Sequence, residues 1–152
     1  MLGKQKKISI IIVAYLVVAT LILPTNVSAA IKEPSMPFAS DYLTSYNSYV
    51  CAMGDGELEI WFSVTGDYYM DDIGTLTIIL YESTDQTTWT HVNTYTNGTH
   101  PNMLGHGVVR YNNYVSYQGV AGRYYKAYVT IWAGIGDNGD ARYMWTTVER
   151  AT

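Results

Sequence analysis

The segment Glu57-Leu58-Glu59-Ile60-Trp61-Phe62-Ser63-Val64-Thr65 decides the fold class, because its aliphatic and Phe residues recur at every second position. This period of two is typical of a β-strand with one buried face. Gly54-Asp55-Gly56 before the segment predicts a hairpin turn, and Gly66-Asp67 predicts its end. The side chains expected to point inward are those of Leu58, Ile60, Phe62 and Val64.

Similar runs follow along the chain, separated by turn signals, and no helical periodicity occurs after residue 29. Tyr and Trp are abundant, which also favours strands. We expect loops at 68–74 and 134–140. In the strand 75–82 we expect Leu76, Ile78 and Leu80 to point inward. The seven expected strands are 46–53, 57–65, 75–82, 88–96, one within 106–117, 123–133 and 141–150.

Seven short strands predict an all-β domain, a single immunoglobulin-like antiparallel β-sandwich, with a small closed barrel as the alternative. Gly122-Arg123-Tyr124-Tyr125 resembles the tyrosine corner of immunoglobulin-like sandwiches. The chain has one cysteine, Cys51, so no internal disulfide can form. We expect Cys51 to be a small buried residue; a disulfide between chains and a reactive thiol are the alternatives.

The first 29 residues have the pattern of a secretory signal peptide. Three lysines precede an apolar run, Ile8–Leu23, and Val27-Ser28-Ala29 offers small residues before a cut at Ala30. We expect a signal-peptide helix over 1–29, a leader or strap over 30–45 and the β-sandwich domain over 46–152. The expected location is secreted and extracellular; a retained membrane anchor is the alternative.

Charge excludes two classes of partner. Removal of Lys4, Lys6 and Lys7 with the signal peptide leaves six of the nine basic residues against 13 acidic ones, a net charge of −7. Nucleic acid is therefore not expected as a partner, because phosphate backbones require basic patches. An anionic membrane surface is not expected either after signal cleavage.

Several short motifs are spread over nearly all of residues 30–152. They are 53–56 (Met-Gly-Asp-Gly), 70–74 (Met-Asp-Asp-Ile-Gly), 80–84 (Leu-Tyr-Glu-Ser-Thr), 119–130, 132–134 and 139–142. In these motifs the chain resembles an uncharacterised family of small exported proteins from Gram-positive bacteria, classified as a domain of unknown function. The resemblance implies export and a single domain, and it assigns no functional residue.

An outward row of large rings is the main candidate site. In the strand 123–133 we expect Tyr125, Ala127, Val129 and Ile131 to point inward. In the last strand we expect Met144, Thr146 and Val148 inward. The rings expected on one outer face, as tentative ligand-binding residues, are Tyr81, Tyr124, Tyr128, Trp132, Tyr143 and Trp145.

Exposed rings with polar tips suit sugars and protein partners. There are two alternative explanations of the same rings. The leader covers them, so that they only stabilise the sheet, or the last strand has the reverse phase and Tyr143 and Trp145 point into the core.

Other chemistries have weaker signals. Asp137, Asn138 and Asp140 place oxygen donors in a glycine-rich loop and are candidate Ca²⁺ ligands, although ordinary turn chemistry explains them equally well. Asp71-Asp72 is a lesser calcium candidate. The three histidines lack the spacing of zinc sites. Glu57 and Glu59 share one strand face, which suits sugar hydrolysis but is more typical of a solvated face.

The sequence thus predicts a secreted, non-enzymatic β-sandwich without a cofactor that binds a glycan or a protein through an aromatic sheet face. Two alternatives stay open. One is a bacteriocin-like antagonist of related bacteria. The other is a structural matrix or coat protein that self-associates through strand edges.

Overall fold

Residues 40–152, the part of the chain that the computed structural model describes, form β-strands joined by turns and one short 3-10 turn. The signal peptide expected at 1–29 and most of the expected leader lie outside the described residues. The elements are β1 (Leu43–Gly54), β2 (Glu57–Ser83), β3 (Thr90–Thr96), the 3-10 turn Pro101–Met103, β4 (Leu104–Gln118), β5 (Tyr124–Ile135), β6 (Asn138–Trp145) and β7 (Glu149–Arg150).

One strand, β2, is 27 residues long and takes part in most of the pairing. Its first part, 57–65, pairs with β1 on one side and with the end of β4 on the other. Its second part pairs with β5 on one side, and with β3 and the start of β4 on the other. The prediction of two strands separated by a loop at 68–74 is therefore wrong.

The bend in β2 explains that error. The register of β2 against β4 shifts between Thr65 and Met70. Tyr68 and Tyr69 lie in this irregular stretch and are 65% and 74% exposed. Met70 is fully buried and packs against Gly66. Exposed tyrosines beside Gly and Asp are typical of a loop. The structure has no loop here, because Met70 is buried and pairs with Val108 of β4 directly after the two tyrosines.

The sheet is antiparallel and curls around one hydrophobic core. Its strand order is β1–β2–β5–β6; β3 and β4 also pair with β2, and β7 pairs with β5. Both parts of β2 contribute to the core, and β1 contacts β5. The predicted inward residues that are buried in this core are Leu58, Ile60, Phe62 and Val64 of the first part of β2, Ile78 and Leu80 of the second part, and Tyr125, Ala127, Val129 and Ile131 of β5.

A β-bulge changes the alternation inside β2. Thr75 pairs with Ile131 and Thr77 with Thr130, so Leu76 is an extra residue opposite β5. Thr75 is fully buried and Leu76 is half-buried, so the prediction that Leu76 points into the core is wrong. Gly74 precedes the bulge with φ +147°, and a Cβ there would lie 2.2 Å from the carbonyl oxygen of Met103. Only glycine fits this position.

The end of the chain differs from the predicted strand 141–150. Thr146 is buried, and its Oγ1 accepts a hydrogen bond from the backbone N–H of Ala127 at 2.9 Å. The Thr146 N–H donates to the carbonyl of Ala127 at 2.9 Å, but its side chain takes the place of the ladder carbonyl. Regular pairing with β5 therefore ends after Trp145 and resumes at β7. Met144 is half-buried, and Val148 is 40% exposed, so the prediction that Val148 points inward is wrong.

Two further expectations change. The loop expected at 134–140 is a tight hairpin turn, because β5 continues to Ile135 and β6 begins at Asn138. Cys51 is half-buried rather than buried, and it is a free thiol within residues 40–152. Among the described residues, no helix has the length and hydropathy needed to cross a bilayer.

Two buried threonines make a matched test of the core. Thr75 Oγ1 is the one buried side-chain oxygen in residues 40–152 without a hydrogen-bond partner, whereas Thr146 Oγ1 is bonded. We expect Thr75→Val to raise the free energy of unfolding by roughly 1 kcal/mol, because it removes an unpaired buried hydroxyl. We expect Thr146→Val to lower it by roughly 1–3 kcal/mol, because it leaves the Ala127 N–H unpaired. Urea unfolding measures both, and equal effects of the two variants would contradict this account.

Candidate functional site

The outer face of the second part of β2, β5 and β6 brings several rings together. On β5 the inward residues alternate with outward ones, so the outward side chains align with those of the neighbouring strands. Tyr128 pairs with Trp145, and Thr130 pairs with Tyr143. On the other side of β5, Tyr81 pairs with Lys126. The register therefore makes neighbours of residues far apart in the sequence.

Four of the six predicted ring residues are in mutual contact. The centroid of Trp145 lies 5.0 Å from that of Tyr128 and 5.5 Å from that of Tyr81. Tyr128 and Tyr143 stack at 6.1 Å with planes only 8° apart. Tyr143 is 59% exposed and Trp145 is 49% exposed. These two rings present a broad surface to solvent, while Tyr81 and Tyr128 are half-buried beneath or beside them.

Sequence reasoning missed three members of this cluster. The Lys126 ammonium lies 4.1 Å from the ring centroid of Trp89 and 4.6 Å from that of Trp145. His91 meets Tyr81 edge-on at 5.9 Å. We call the whole cluster the aromatic face, and its residues are Tyr81, Trp89, His91, Lys126, Tyr128, Tyr143 and Trp145.

The contact of Lys126 with two indoles fixes their positions. A cation–π contact at an exposed site contributes about 0.5–1 kcal/mol. The Trp89 Nε1–H also donates to the carbonyl of Gln86 at 3.1 Å, which holds the second indole on its loop. Lys126 is the only lysine in residues 40–152. A lone lysine on the outward phase of an aromatic strand was a usable signal; the loop position of Trp89 was not readable from periodicity.

The other two predicted residues lie apart from the cluster. Tyr124 is covered at 5.8 Å by the guanidinium carbon of Arg150. The ring of Trp132 lies over Gly134 and Gly139, where a Cβ on Gly139 would come within 2.5 Å of Cζ2. Within residues 40–152, neither ring contacts the other four aromatic residues. Trp132 is half-buried like Tyr81 and Tyr128, but its ring packs on the backbone of two glycines.

The candidate calcium ligands do not converge. Asp137 is exposed in the turn between β5 and β6, and Asn138 is the first residue of β6. Asp140 Oδ2 instead accepts hydrogen bonds from the Ser40 hydroxyl at 2.5 Å, the Asp41 N–H at 2.9 Å and the Tyr42 N–H at 3.2 Å. Its carboxylate thus links the chain entering β1 to β6.

Among the described residues, no group of three or more His, Cys, Asp or Glu side chains is arranged to hold a metal ion. Asp71 accepts from the Gly136 N–H at 2.7 Å, while Asp72 pairs with His106 at 2.7 Å. His100 packs edge-on against Tyr95 at 5.1 Å, and His91 belongs to the aromatic face. The histidines therefore serve three separate local contacts.

The carboxylates considered for sugar hydrolysis also have different surroundings. Glu57 is exposed at the start of β2, whereas Glu59 is half-buried. The Trp61 Nε1–H donates to Glu59 Oε2 at 2.8 Å. Glu59 therefore orients an indole on the first part of β2.

No protein-family model matches the chain, and comparisons with curated proteins and with solved structures gave no match. The resemblance to a family of exported Gram-positive proteins accordingly stays a prediction. Function is inferred below from the arrangement of residues 40–152.

The Asp140 contact predicts a pH dependence of stability. The hydrogen bond from Ser40, followed by those from the Tyr42 and Asp41 N–H groups and the charge of Arg142, lowers the pKa of Asp140 below its ordinary value of 3.8. Because the folded-state pKa is depressed, the stabilisation is present above about pH 3.8 and is lost as the pH falls through the folded pKa.

We therefore expect Asp140→Asn to lower the melting temperature at neutral pH and to have progressively less effect below about pH 4. Thermal unfolding followed by circular dichroism between pH 3 and pH 7 measures this. Asp137→Asn is the control, since Asp137 is exposed and its side chain accepts no hydrogen bond from the described residues. A difference between Asp140→Asn and wild type that stays constant with pH contradicts the assignment.

Proposed function

We propose that the protein is an exported, non-enzymatic binding protein that holds a glycan against the aromatic face. The observation that carries this proposal is the exposure of Tyr143 and Trp145 while both contact other rings. An extended apolar surface facing water is unusual on a soluble protein unless it meets a ligand or partner. Export is supported by the signal-peptide pattern of residues 1–29.

Sugar chemistry suits this surface. The C–H faces of a pyranose ring pack against flat aromatic rings, and tyrosine hydroxyls at the ring tips hydrogen-bond to sugar hydroxyls. Tyr128 and Tyr143 offer parallel rings, and Trp145 adds a wider one at an angle of about 50° to Tyr128. Lys126 adds a donor between the two indoles. Each contact is weak, so affinity depends on several of them acting together.

The finer description of the fold belongs to the same proposal. We infer that the curled sheet is an immunoglobulin-like β-sandwich in which the two parts of β2 belong to different layers. One contact between strands and one local contact support this. The Tyr95 hydroxyl on β3 donates to the carbonyl of Ser116 on β4 at 2.8 Å. The Tyr125 hydroxyl accepts from the Val120 N–H, five residues earlier, at 2.8 Å. The second contact has the form of a tyrosine corner.

The test separates binding from packing. We expect Trp145→Ala to weaken glycan binding at least tenfold and to change the melting temperature by only a few degrees, because the indole is half exposed. We expect Trp132→Ala to lower the melting temperature more, since that ring covers two glycines. A glycan array followed by titration calorimetry measures binding, and thermal unfolding measures stability.

Tyr69→Ala is the matched control, because Tyr69 is 74% exposed and lies at the bend of β2, away from the rings of the aromatic face. It should bind as wild type does. Loss of binding in Tyr69→Ala, or wild-type binding in Trp145→Ala, counts against the aromatic face. If no glycan binds and light scattering shows concentration-dependent oligomers, the matrix or coat alternative is favoured. If no glycan binds and the protein kills related bacteria, the antagonist alternative is favoured.

A further inference from the structure

A second group of rings lies on the outer face of β1, the first part of β2 and the end of β4. Tyr49 pairs directly with Trp61, and Trp61 pairs directly with Tyr114. The centroids of Trp61 and Tyr114 are 4.6 Å apart. Tyr49 is 41% exposed and Tyr114 is 38% exposed. Three strands thus align three rings in one cross-strand row that shares no residue with the aromatic face.

A polar row lies beside these rings. Asn47, Ser63 and Asn112 are aligned across the same three strands, and each lies two residues from the ring of its own strand. The Ser63 hydroxyl donates to Asn112 Oδ1 at 2.6 Å, and Arg110 Nε–H donates to the same oxygen at 3.4 Å. Asn47 Oδ1 accepts from the Ser48 N–H at 2.9 Å. Both amide oxygens are therefore occupied by protein donors.

The groups left over are donors. Within residues 40–152, the amide nitrogens of Asn47 and Asn112 and the terminal nitrogens of Arg110 donate to no protein acceptor. Arg110 also forms no ion pair with a described residue, whereas Arg123 pairs with Glu82 and Arg142 lies 4.0 Å from Asp140. The row therefore offers several N–H groups and one positive charge to an outside acceptor.

Tyr49 and Trp61 of the ring row, the whole polar row and Arg110 line one open depression of about 420 Å³, whereas Tyr114 lies outside it. This volume lies within the range of small-ligand sites, roughly 300–1,000 Å³. Trp61 is held in place on its far side, because its Nε1–H is bonded to Glu59. A ligand in the depression meets a fixed indole on one side and N–H donors on the other. We call this depression the Trp61 site.

We propose that the Trp61 site binds a sugar residue that carries a carboxylate, such as a hexuronic acid within a polysaccharide. The rings of Tyr49 and Trp61 take the C–H face of the sugar. The two asparagine amides donate to its hydroxyl and ring oxygens. Arg110 pairs with the carboxylate, since a guanidinium matches the geometry of a carboxylate.

The acidic charge of the protein does not exclude this ligand. Charges further than about 8 Å from the ligand are largely screened at physiological ionic strength. Arg110 lines the depression itself. Glu59 is not among the lining residues, and its Oε2 accepts the Trp61 Nε1–H at 2.8 Å on the far side of the indole. The inference goes beyond the proposed function, because it concerns other strands and another ligand chemistry, and it stands if the aromatic face binds nothing.

The experiment is a calorimetric titration of the purified protein with trimers of galacturonic acid and of glucuronic acid, and with their carboxyl-reduced, neutral counterparts. We expect an acidic trimer to bind and its neutral counterpart to bind about tenfold more weakly. Trp61→Ala should weaken binding of both forms at least tenfold. Arg110→Gln should weaken binding of the acidic trimer to the level of the neutral one and leave binding of the neutral trimer unchanged.

Tyr69→Ala is the control and should bind the acidic trimers as wild type does, because Tyr69 belongs to neither site. Binding of the acidic trimers that Trp145→Ala abolishes and Trp61→Ala leaves intact belongs to the aromatic face and overturns the proposal. Tyr49→Ala repeats the test of the ring row if Trp61→Ala does not fold. Failure of both acidic trimers to bind overturns the proposal, and so does equal binding of acidic and neutral trimers. Wild-type affinity in both Tyr49→Ala and Trp61→Ala overturns it as well.

Discussion

The continuous backbone pairing of β2 is the constraint on which the rest of the structure depends. Its first part is central between β1 and β4, and its second part is central between β5 and the pair β3 and β4. Both parts must keep their apolar face toward the same core although the strand bends between them. The irregular register at 66–70 adds residues to β2 against β4, and Val64 and Met70 are buried on either side of it. The bulge at Leu76 moves the buried positions from Ile73 and Thr75 to Ile78 and Leu80.

Sequence reasoning succeeded where alternation is unbroken and failed where it is interrupted. The inward residues of 57–65 and 124–131 follow from a period of two alone, because buried positions alternate without a break along each segment. Leu76 was misplaced because one extra residue reverses the phase, and nothing in the sequence marks it except Gly74. Val148 was misplaced because the Thr146 side chain replaces a backbone acceptor, an event that depends on the position of Ala127.

The candidate site shows the same division. Four rings could be grouped from the sequence, because they lie on paired strands and alternation predicts that their side chains point outward. They are Tyr81, Tyr128, Tyr143 and Trp145. Trp89 lies on a loop, so its contact with Lys126 depends on the path of that loop. The Trp61 site was missed for another reason. The period of two along 57–65 places Trp61 between inward residues, but its neighbours Tyr49 and Tyr114 are identified only by the register of three strands. Alternation along one strand predicts which way a side chain points. The residues beside it on neighbouring strands are known only once the strand register is known.

The position of Lys126 between two indoles has a practical consequence for work with this protein. It carries the only side-chain amine in residues 40–152. A reagent that acylates lysines, or a sensor surface that couples proteins through amines, will modify this domain at the centre of the aromatic face. Such labelling removes the positive charge that the two indoles contact and turns the face toward the support. Immobilisation through a terminal tag keeps that surface open to solution.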